Sequence, residues 1–514
     1  MNGAESLVRT LSAGGVEVCF ANPGTSEMQF VDALDRTRLI RCVLGLFEGV
    51  VTGAADGYAR MAGKPAVTLL HLAPGLANAS ANLHNARKAR TPMVNLVGDH
   101  ALRHQAYDAP LTADVEGAAL PFSDFVRVTR SAAEIGADGA ETLAAAMSAP
   151  GKVATLIAPS DTGWDEGGVV AEPRRPQGPA PIEPAALDAA VAALGHGKET
   201  LILAGGSVLE QPELTSLLLG IAEKTGCTIA VPPANRRLER GAGRANFAKV
   251  PFAVDLAVEM LKGFRHAILI EARQPVAFFA YPGKPSVLLP DECARLTLAD
   301  LHDDGPEAVR ALADRVGAKP ATPVDAPRPI RPQRVPIDYR SLEMAIAAAL
   351  PEDVIVMDEG LTAGRGIYDA TAGAPPMSWI AITGGSIGIG PPLATGAAIA
   401  CPDRPVVALQ ADGSAMYTIQ GLWTQARENL NVTTVIFANG TYELLKQELV
   451  RVGANPGRSA LDMLEINRPA LDFVSIAKGM GVPGRRVEDA ATLCQAIRDA
   501  VKEPGPKLIE AIID

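Results

Sequence analysis

Aromatic side chains make up only 4% of this 514-residue chain. No run of apolar residues approaches the roughly 20 needed to cross a bilayer, so a membrane span is not expected. The amino-terminal stretch MNGAESLVRTLSAGG also lacks the apolar core of a secretory signal. Cysteine is scarce. The six copies, Cys19, Cys42, Cys227, Cys293, Cys401 and Cys494, form no Cys-x-x-Cys pair and no Cys/His spacing suited to zinc. That excludes a disulfide framework and suits small buried residues in a reducing compartment. There is no Lys/Arg-rich block, and a formal net charge of −11 argues against a nucleic-acid partner. A cytoplasmic protein is the expectation.

What is plentiful is glycine (49), proline (40) and hydrophobic residues (48%), the composition of an α/β enzyme with many tight strand-to-helix turns. The chain is too long for one core, and roughly two to four domains are expected. Two Pro-rich stretches without apolar periodicity, Glu172 to Ala185 and Pro320 to Pro336, read as linkers. They divide the chain into residues 1–171, 186–319 and 337–514, each alternating strand and helix signals as in a doubly wound parallel sheet.

The densest chemistry lies between Leu409 and Lys446, which reads as one βαβ unit. An apolar strand, Pro405 to Leu409, stops at Ala411-Asp412-Gly413-Ser414. A helix is expected from Ala415 to about Asn429, then a strand from Val432 to Phe437 that stops at Asn439-Gly440-Thr441. A right-handed crossover makes the two strands parallel, so Asp412 and Asn439 emerge at the same sheet edge. A carboxylate, an amide oxygen and nearby carbonyls suit Mg2+ or Ca2+ rather than zinc. Gly413, Ser414 and the following helix start offer N–H groups to a phosphate. Taken singly, both tripeptides are ordinary turns; their pairing points to a divalent ion with a diphosphate.

In the first segment, Val16 to Ala21 reads as a strand ending in Asn22-Pro23-Gly24-Thr25-Ser26-Glu27, and Ile40 to Phe47 as a strand stopping at Glu48. A helix of small residues, GVVTGAADGYARMA, follows. Glu48 is either an acid favourable to the helix dipole or a functional carboxyl between buried elements. Pro65 to Leu72 is a strand ending near His71, before the Ala73-Pro74-Gly75 turn and a helix from Leu76 to Arg87. His71 reads equally as a hydrogen-bonded core residue or as a proton shuttle at the edge that Glu48 shares. Asn78 and Asn82 follow on that helix, and either reads equally as a site residue or as a packing polar group. Pro92 to Asp99 is a further strand, and His100, His104 and Gln105 lie in the loop behind it without a third metal ligand at suitable spacing.

The chain resembles thiamine diphosphate (ThDP) enzymes, the acetolactate synthases and benzoylformate decarboxylases in particular. The resemblance rests on Asp412-Gly413 with Asn439, on Glu48 followed by Gly57-Tyr58-Ala59-Arg60, on NPGTSE at 22–27, on the LHLAPG context of His71, and on Thr383 to Pro392, TGGSIGIGPP. Ala411 and Ala438 stand where the family motif has Gly and Asn. The resemblance implies three parallel-sheet domains (pyrimidine-binding, middle and diphosphate-binding). It implies Mg2+ on Asp412, Asn439 and the Thr441 main chain, and ThDP against Thr362, Gly385, Ile387, Gly413 and Ser414. It also implies a protonated Glu48 on the aminopyrimidine, with its pKa raised by an apolar site. Asp108-Ala109-Pro110-Leu111 replaces the Phe-Gln-Glu tripeptide of acetolactate synthases. A second histidine, expected of a benzoylformate decarboxylase near Ala245-Asn246-Phe247, is absent.

The implied activity is a 2-oxo acid decarboxylase with carboligase activity, acting through a C2-ylid and an enamine, in a homodimer or homotetramer whose sites lie between subunits. An acetolactate synthase large subunit is the first alternative. A flavin oxidase would need FAD in the middle domain, where Gly205-Gly206 lacks the full dinucleotide motif. An acyl-CoA lyase could hold an ADP moiety on basic residues there. Arg236 to Arg240 reads as a phosphate patch or a solvated basic turn. A catalytically silent ThDP-binding partner is disfavoured by the joint presence of Glu48, Asp412 and Asn439.

Overall fold

The computed structural model describes residues 1–514 and contains three open sheets. The first holds β1 (Val18–Asn22), β2 (Arg41–Leu44), β3 (Ala66–Leu70), β4 (Met93–Asp99), β5 (Phe125–Val128) and β6 (Val153–Pro159), in the order β2-β1-β3-β4-β6-β5. The second takes β7 (Thr200–Ala204) and β8 (Thr228–Val231). After a detour to another sheet by β9 (Leu238–Arg240), it adds β10 (Ala248–Lys249), β11 (His266–Ile270) and β12 (Ala294–Ala299), in the order β10-β8-β7-β11-β12. The third comprises β13 (Ile355–Glu359), β14 (Met377–Ala381), β15 (Val406–Ala411), β16 (Val432–Ala438), β17 (Gly484–Val487) and β18 (Lys507–Ile512), ordered β17-β18-β16-β15-β13-β14-β9. All pairings are parallel except β14 with β9. The fold is thus three doubly wound α/β domains. No helix is long and apolar enough to cross a membrane.

The central strands are buried on both faces, as helix-covered parallel strands must be: every residue of Ala66–Leu70 and of Met93–Asp99 is buried. In each sheet the chain leaves one central strand toward one edge and its neighbour toward the other. That reversal opens a crevice at the carboxyl ends of the two strands. The crevices fall between β1 and β3, between β7 and β11, and between β13 and β15.

Two departures from the sequence-based expectation have clear causes. Arg236 to Arg240 is not a solvated turn: β9 pairs antiparallel with β14 and Arg240 is buried with its guanidinium 3.6 Å from the Tyr368 ring centroid, while Arg236 and Arg237 pair with Glu210 and Glu239. The helix after Asp412 is interrupted. It runs Asp412–Ala415 and resumes at Gly421–Arg427, because the Thr418 hydroxyl leaves the helical path to donate to the Gly388 carbonyl at 2.7 Å.

The first and third domains are joined by two helices of small residues, Glu48–Ala62 and Gly390–Ala400. A Cβ on Gly57 would lie 2.0 Å from the Leu393 carbonyl oxygen, so only glycine permits this approach. Arg60 completes the joint. Paired with Asp56 and with both side chains fully buried, it donates to the Ala381 carbonyl at 2.7 Å and to Thr383 Oγ1 at 3.1 Å.

Candidate active site

At the β1/β3 crevice, the turn after β1 and the residue after β3 face one another. Glu27, with no side-chain exposure, sets Oε2 2.8 Å from His71 Nδ1 and accepts the Gly24 N–H at 2.8 Å and the Ser26 hydroxyl at 2.5 Å. An acceptor on that side fixes the His71 proton on Nδ1 and leaves Nε2 free to exchange a proton. The helix after His71 begins at Leu72, not Leu76. Pro74 sits in its first turn, where a missing N–H costs nothing, so the expected Ala73-Pro74-Gly75 turn is helical.

Glu48 opens the helix Glu48–Ala62 and is 6% exposed. Its Oε2 accepts the Asn78 amide at 3.0 Å. Gly75 lies between the two acid–base groups: a Cβ there would be 3.0 Å from Glu48 Oε1 and 3.3 Å from His71 Cβ. Glu48 and the Glu27–His71 pair therefore flank one small patch of backbone.

At the β13/β15 crevice, Asp412 follows β15. Its Oδ2 accepts the N–H groups of Asn439 at 3.0 Å and Gly440 at 2.7 Å, and Oδ1 that of Gly413 at 2.7 Å. Burial pushes the Asp412 carboxyl upward, and the backbone donors of Gly440, Gly413 and Asn439 oppose the shift. The side chain enters no ion pair, so a divalent cation would supply the charge that the chain does not. Asn439 Oδ1 accepts the Thr441 N–H at 3.1 Å, and the Thr441 hydroxyl donates to Leu464 O at 2.9 Å. Gly413 lies against the Tyr442 ring, and Ser414 Oγ meets Gln410 Nε2 at 2.5 Å. The buried Gln410 Oε1 has no partner. A hard-oxygen donor set around an uncompensated carboxylate fits a divalent metal ion.

Behind this set stands Glu359 at the end of β13. It accepts the N–H groups of Gly388 at 2.6 Å and Gly390 at 2.7 Å, and Gln410 Nε2 at 3.0 Å. Burial raises its carboxyl to about 7 against the pull of those donors. The loop leading into Gly388 is strapped to the first domain, where Asn85 Oδ1 accepts the Gly384 and Ser386 N–H groups at 3.0 and 3.3 Å. Gly385, with φ 75°, and the half-buried Ile387 lie in this loop. Thr362 sits in the one-turn helix Leu361–Gly364, which packs beside β15 and the helix Glu443–Arg451.

The structure thus assembles Asp412, Gly413, Ser414, Asn439 and Thr441 at one crevice, and Glu48 with His71 at another. No hydrogen bond or ion pair joins the two groups within the chain. The segment near Ala245 to Phe247, where a further histidine was sought, does not approach the Gly-rich loop: Phe247 is buried, and its carbonyl accepts the Tyr368 hydroxyl at 3.2 Å. The middle-domain stretch that does approach is Gln274 to Ser286. A Cβ on Gly385 would lie 2.5 Å from Phe278 Cζ, and the Phe278 ring is 5.1 Å from Phe252 and 4.9 Å from Phe279. Glu27, Asn78, Glu359, Gln410 and Phe278 carry no role in the sequence reading. For Glu27 the signal was present in NPGTSE, an acid three residues into a turn beside a strand end. For Phe278 no periodicity or motif marks it.

Family models for the N-terminal and C-terminal TPP-binding domains of thiamine pyrophosphate enzymes match residues 1–118 and 368–511. The chain belongs to this family and is a thiamine diphosphate-dependent enzyme of the C–C lyase/transferase type. Among its relatives is IlvX of Mycobacterium tuberculosis H37Rv, provisionally named an acetolactate synthase large subunit. It is 49% identical over 517 residues, covering 100% of this chain and 99% of the relative. Benzoylformate decarboxylase of Pseudomonas aeruginosa is 28% identical, with 96% of each chain covered. Among solved structures, the ThDP-dependent 4-hydroxybenzoylformate decarboxylase of Rhodococcus jostii RHA1 superposes with a TM-score of 0.85 at 24% identity, over 100% of this chain and 99% of that one.

Proposed function

We propose that the protein is a Mg2+-dependent 2-oxo acid decarboxylase with carboligase activity. The observation that carries this reading is that Glu48 and the Glu27–His71 pair flank Gly75 as two separate proton-handling groups. One acid suffices to activate the cofactor. A second, independent donor serves a reaction that ends by protonating carbon.

ThDP, when bound, supplies the carbanion-stabilising chemistry at the carbonyl carbon of the substrate. The chain's residues do the rest. Asp412, the Asn439 side chain and the Thr441 main-chain oxygen would hold Mg2+, and Gly413, Ser414 and Thr362 would receive the diphosphate. Ile387 and the Gly385 carbonyl would shape the ring end, and Glu48 would hold a proton toward the aminopyrimidine. His71 Nε2 delivers a proton to product carbon while Glu27 keeps Nδ1 protonated and the ring oriented. The phenyl groups of Phe252, Phe278 and Phe279 form an apolar wall beside Gly385, which favours a 2-oxo acid with an aromatic or bulky side chain over pyruvate.

Glu48 and Asp412 lie on different domains. Pairing each half-site with the complementary half of a second copy gives a homodimer or homotetramer as the working assembly, in the cytoplasm. The working domain limits are 1–171, 186–319 and 337–514. The test is product analysis from benzoylformate and pyruvate, each with and without added aldehyde. Carbon dioxide and aldehyde from benzoylformate support the reading. Acetolactate from pyruvate as the sole fast product would move the assignment to acetolactate synthase.

A further inference from the structure

A cavity of about 940 Å³ lies between the first and middle domains and reaches from Lys88 and Arg90 to Gly205, Gly206 and Glu271. It covers the β7/β11 crevice, the place in the second sheet where an open α/β fold binds its ligand. β7 runs into Gly205-Gly206-Ser207, a turn whose donors suit a phosphate. The wall is cationic: Lys88, Arg90, Arg175 and Arg273 line the cavity and form no ion pair. The lining acids Asp303 and Asp304 are engaged by the backbone of their own turn, accepting the Asp300 N–H at 2.8 Å and the Glu307 N–H at 2.9 Å. By position and charge this is where a nucleotide would sit.

The turn is nevertheless filled from within. Glu271, the residue after β11, accepts the Ser207 N–H at 2.5 Å and the Ser207 hydroxyl at 2.9 Å. Its backbone adopts φ 46°, in the left-handed region that suits glycine better. Gly206 and Gly305 make room for the carboxylate: a Cβ on either would lie 2.1 or 2.4 Å from its oxygens.

We propose that Glu271 is a built-in anion that closes this cavity to nucleotides. Its carboxylate holds the donors that a diphosphate would need, so the middle domain carries neither FAD nor an ADP-bearing ligand. This conclusion is independent of which 2-oxo acid the enzyme accepts. It removes the flavin oxidase and the acyl-CoA lyase from the readings compatible with the fold.

The test is calorimetric titration of the full-length protein with ADP. Three proteins are compared: wild type, Glu271→Gly, which suits the left-handed backbone and empties the turn, and Glu271→Gln, which keeps it filled. We expect no detectable binding to wild type or Glu271→Gln. Glu271→Gly should bind ADP at least about tenfold more tightly than wild type, the cationic wall now meeting a ligand of opposite charge. Glu271→Asn, whose shorter side chain does not reach Ser207 and which tolerates left-handed backbone, replaces the glycine variant if that one does not fold. ADP binding by wild type or by Glu271→Gln, or its absence from a folded variant with an emptied turn, would overturn the proposal. Because the readout is ADP binding and not turnover, failure here is distinct from failure of the decarboxylase reading.

Discussion

Glu27 and His71 are separated by 44 residues in sequence, yet Glu27 Oε2 lies 2.8 Å from His71 Nδ1. The sheet order makes the contact. β1 and β3 are adjacent and parallel, so the turn after one meets the residue after the other. If His71 delivers the proton that releases aldehyde, His71→Ala should slow aldehyde release by about a hundredfold, the lower range for general acid catalysis, and slow carboligation less. Glu27→Gln, which leaves the ring in place but no longer favours one tautomer, should show the same partitioning with a smaller loss. Product ratios from benzoylformate with and without added acetaldehyde measure it. Equal losses in both products would remove His71 from the protonation step.

Asp412 is a buried carboxylate with only backbone donors around it. Asp412→Ala should abolish Mg2+-dependent ThDP binding while preserving the fold, because the site loses its anionic ligand. Titration of ThDP with and without Mg2+ checks affinity, and circular dichroism checks the fold. Unchanged affinity would place the metal elsewhere.

Glu359 gives a pH signature. Burial raises its carboxyl from the ordinary 4.5 to about 7 in the folded protein. Between those values the folded state binds a proton that the unfolded state does not, so its contribution makes stability fall as pH rises through this window. The full contribution is about 3 kcal/mol at most. Denaturant unfolding of wild type and Glu359→Gln from pH 5 to 8 should show a steeper decline in wild type. Parallel profiles would mean that the carboxyl is ionised throughout.

Phe278 stands against Gly385 with Phe252 and Phe279 behind it. Phe278→Ala should lower kcat/KM for benzoylformate relative to pyruvate by about tenfold, the scale of one lost aromatic contact. A uniform loss on both substrates would make the ring a packing element rather than a selector.

The sequence made the third domain legible because its candidate ligands are local to strand ends: Asp412 after β15 and Asn439 after β16 needed only the βαβ rule to be brought to one edge. His71 was legible through the same logic, at the end of a buried strand, whereas Glu48 follows a largely exposed edge strand and marks where a buried helix begins. The partners were not. Asn78 reaches Glu48 and Glu27 reaches His71 across strands whose order no local pattern encodes. Glu359 reads as one acid in a turn until the Gly388 and Gly390 N–H groups fold back onto it. Arg240 was misread because a three-residue strand that crosses into another domain's sheet carries no periodic signal. Nothing in the sequence marks Glu271, because its left-handed backbone becomes evident only in three dimensions.

In the proposed reaction Glu48 is the acid that activates the cofactor. Exchange of the ThDP C2 proton for deuterium, followed by quenched-flow NMR on the loaded enzyme, reads that role without any substrate. Wild type should exchange at least about a hundredfold faster than Glu48→Gln, with ThDP binding retained in both. Equal exchange rates in the two loaded proteins would contradict the account and leave Glu48 as an acid at the start of a helix.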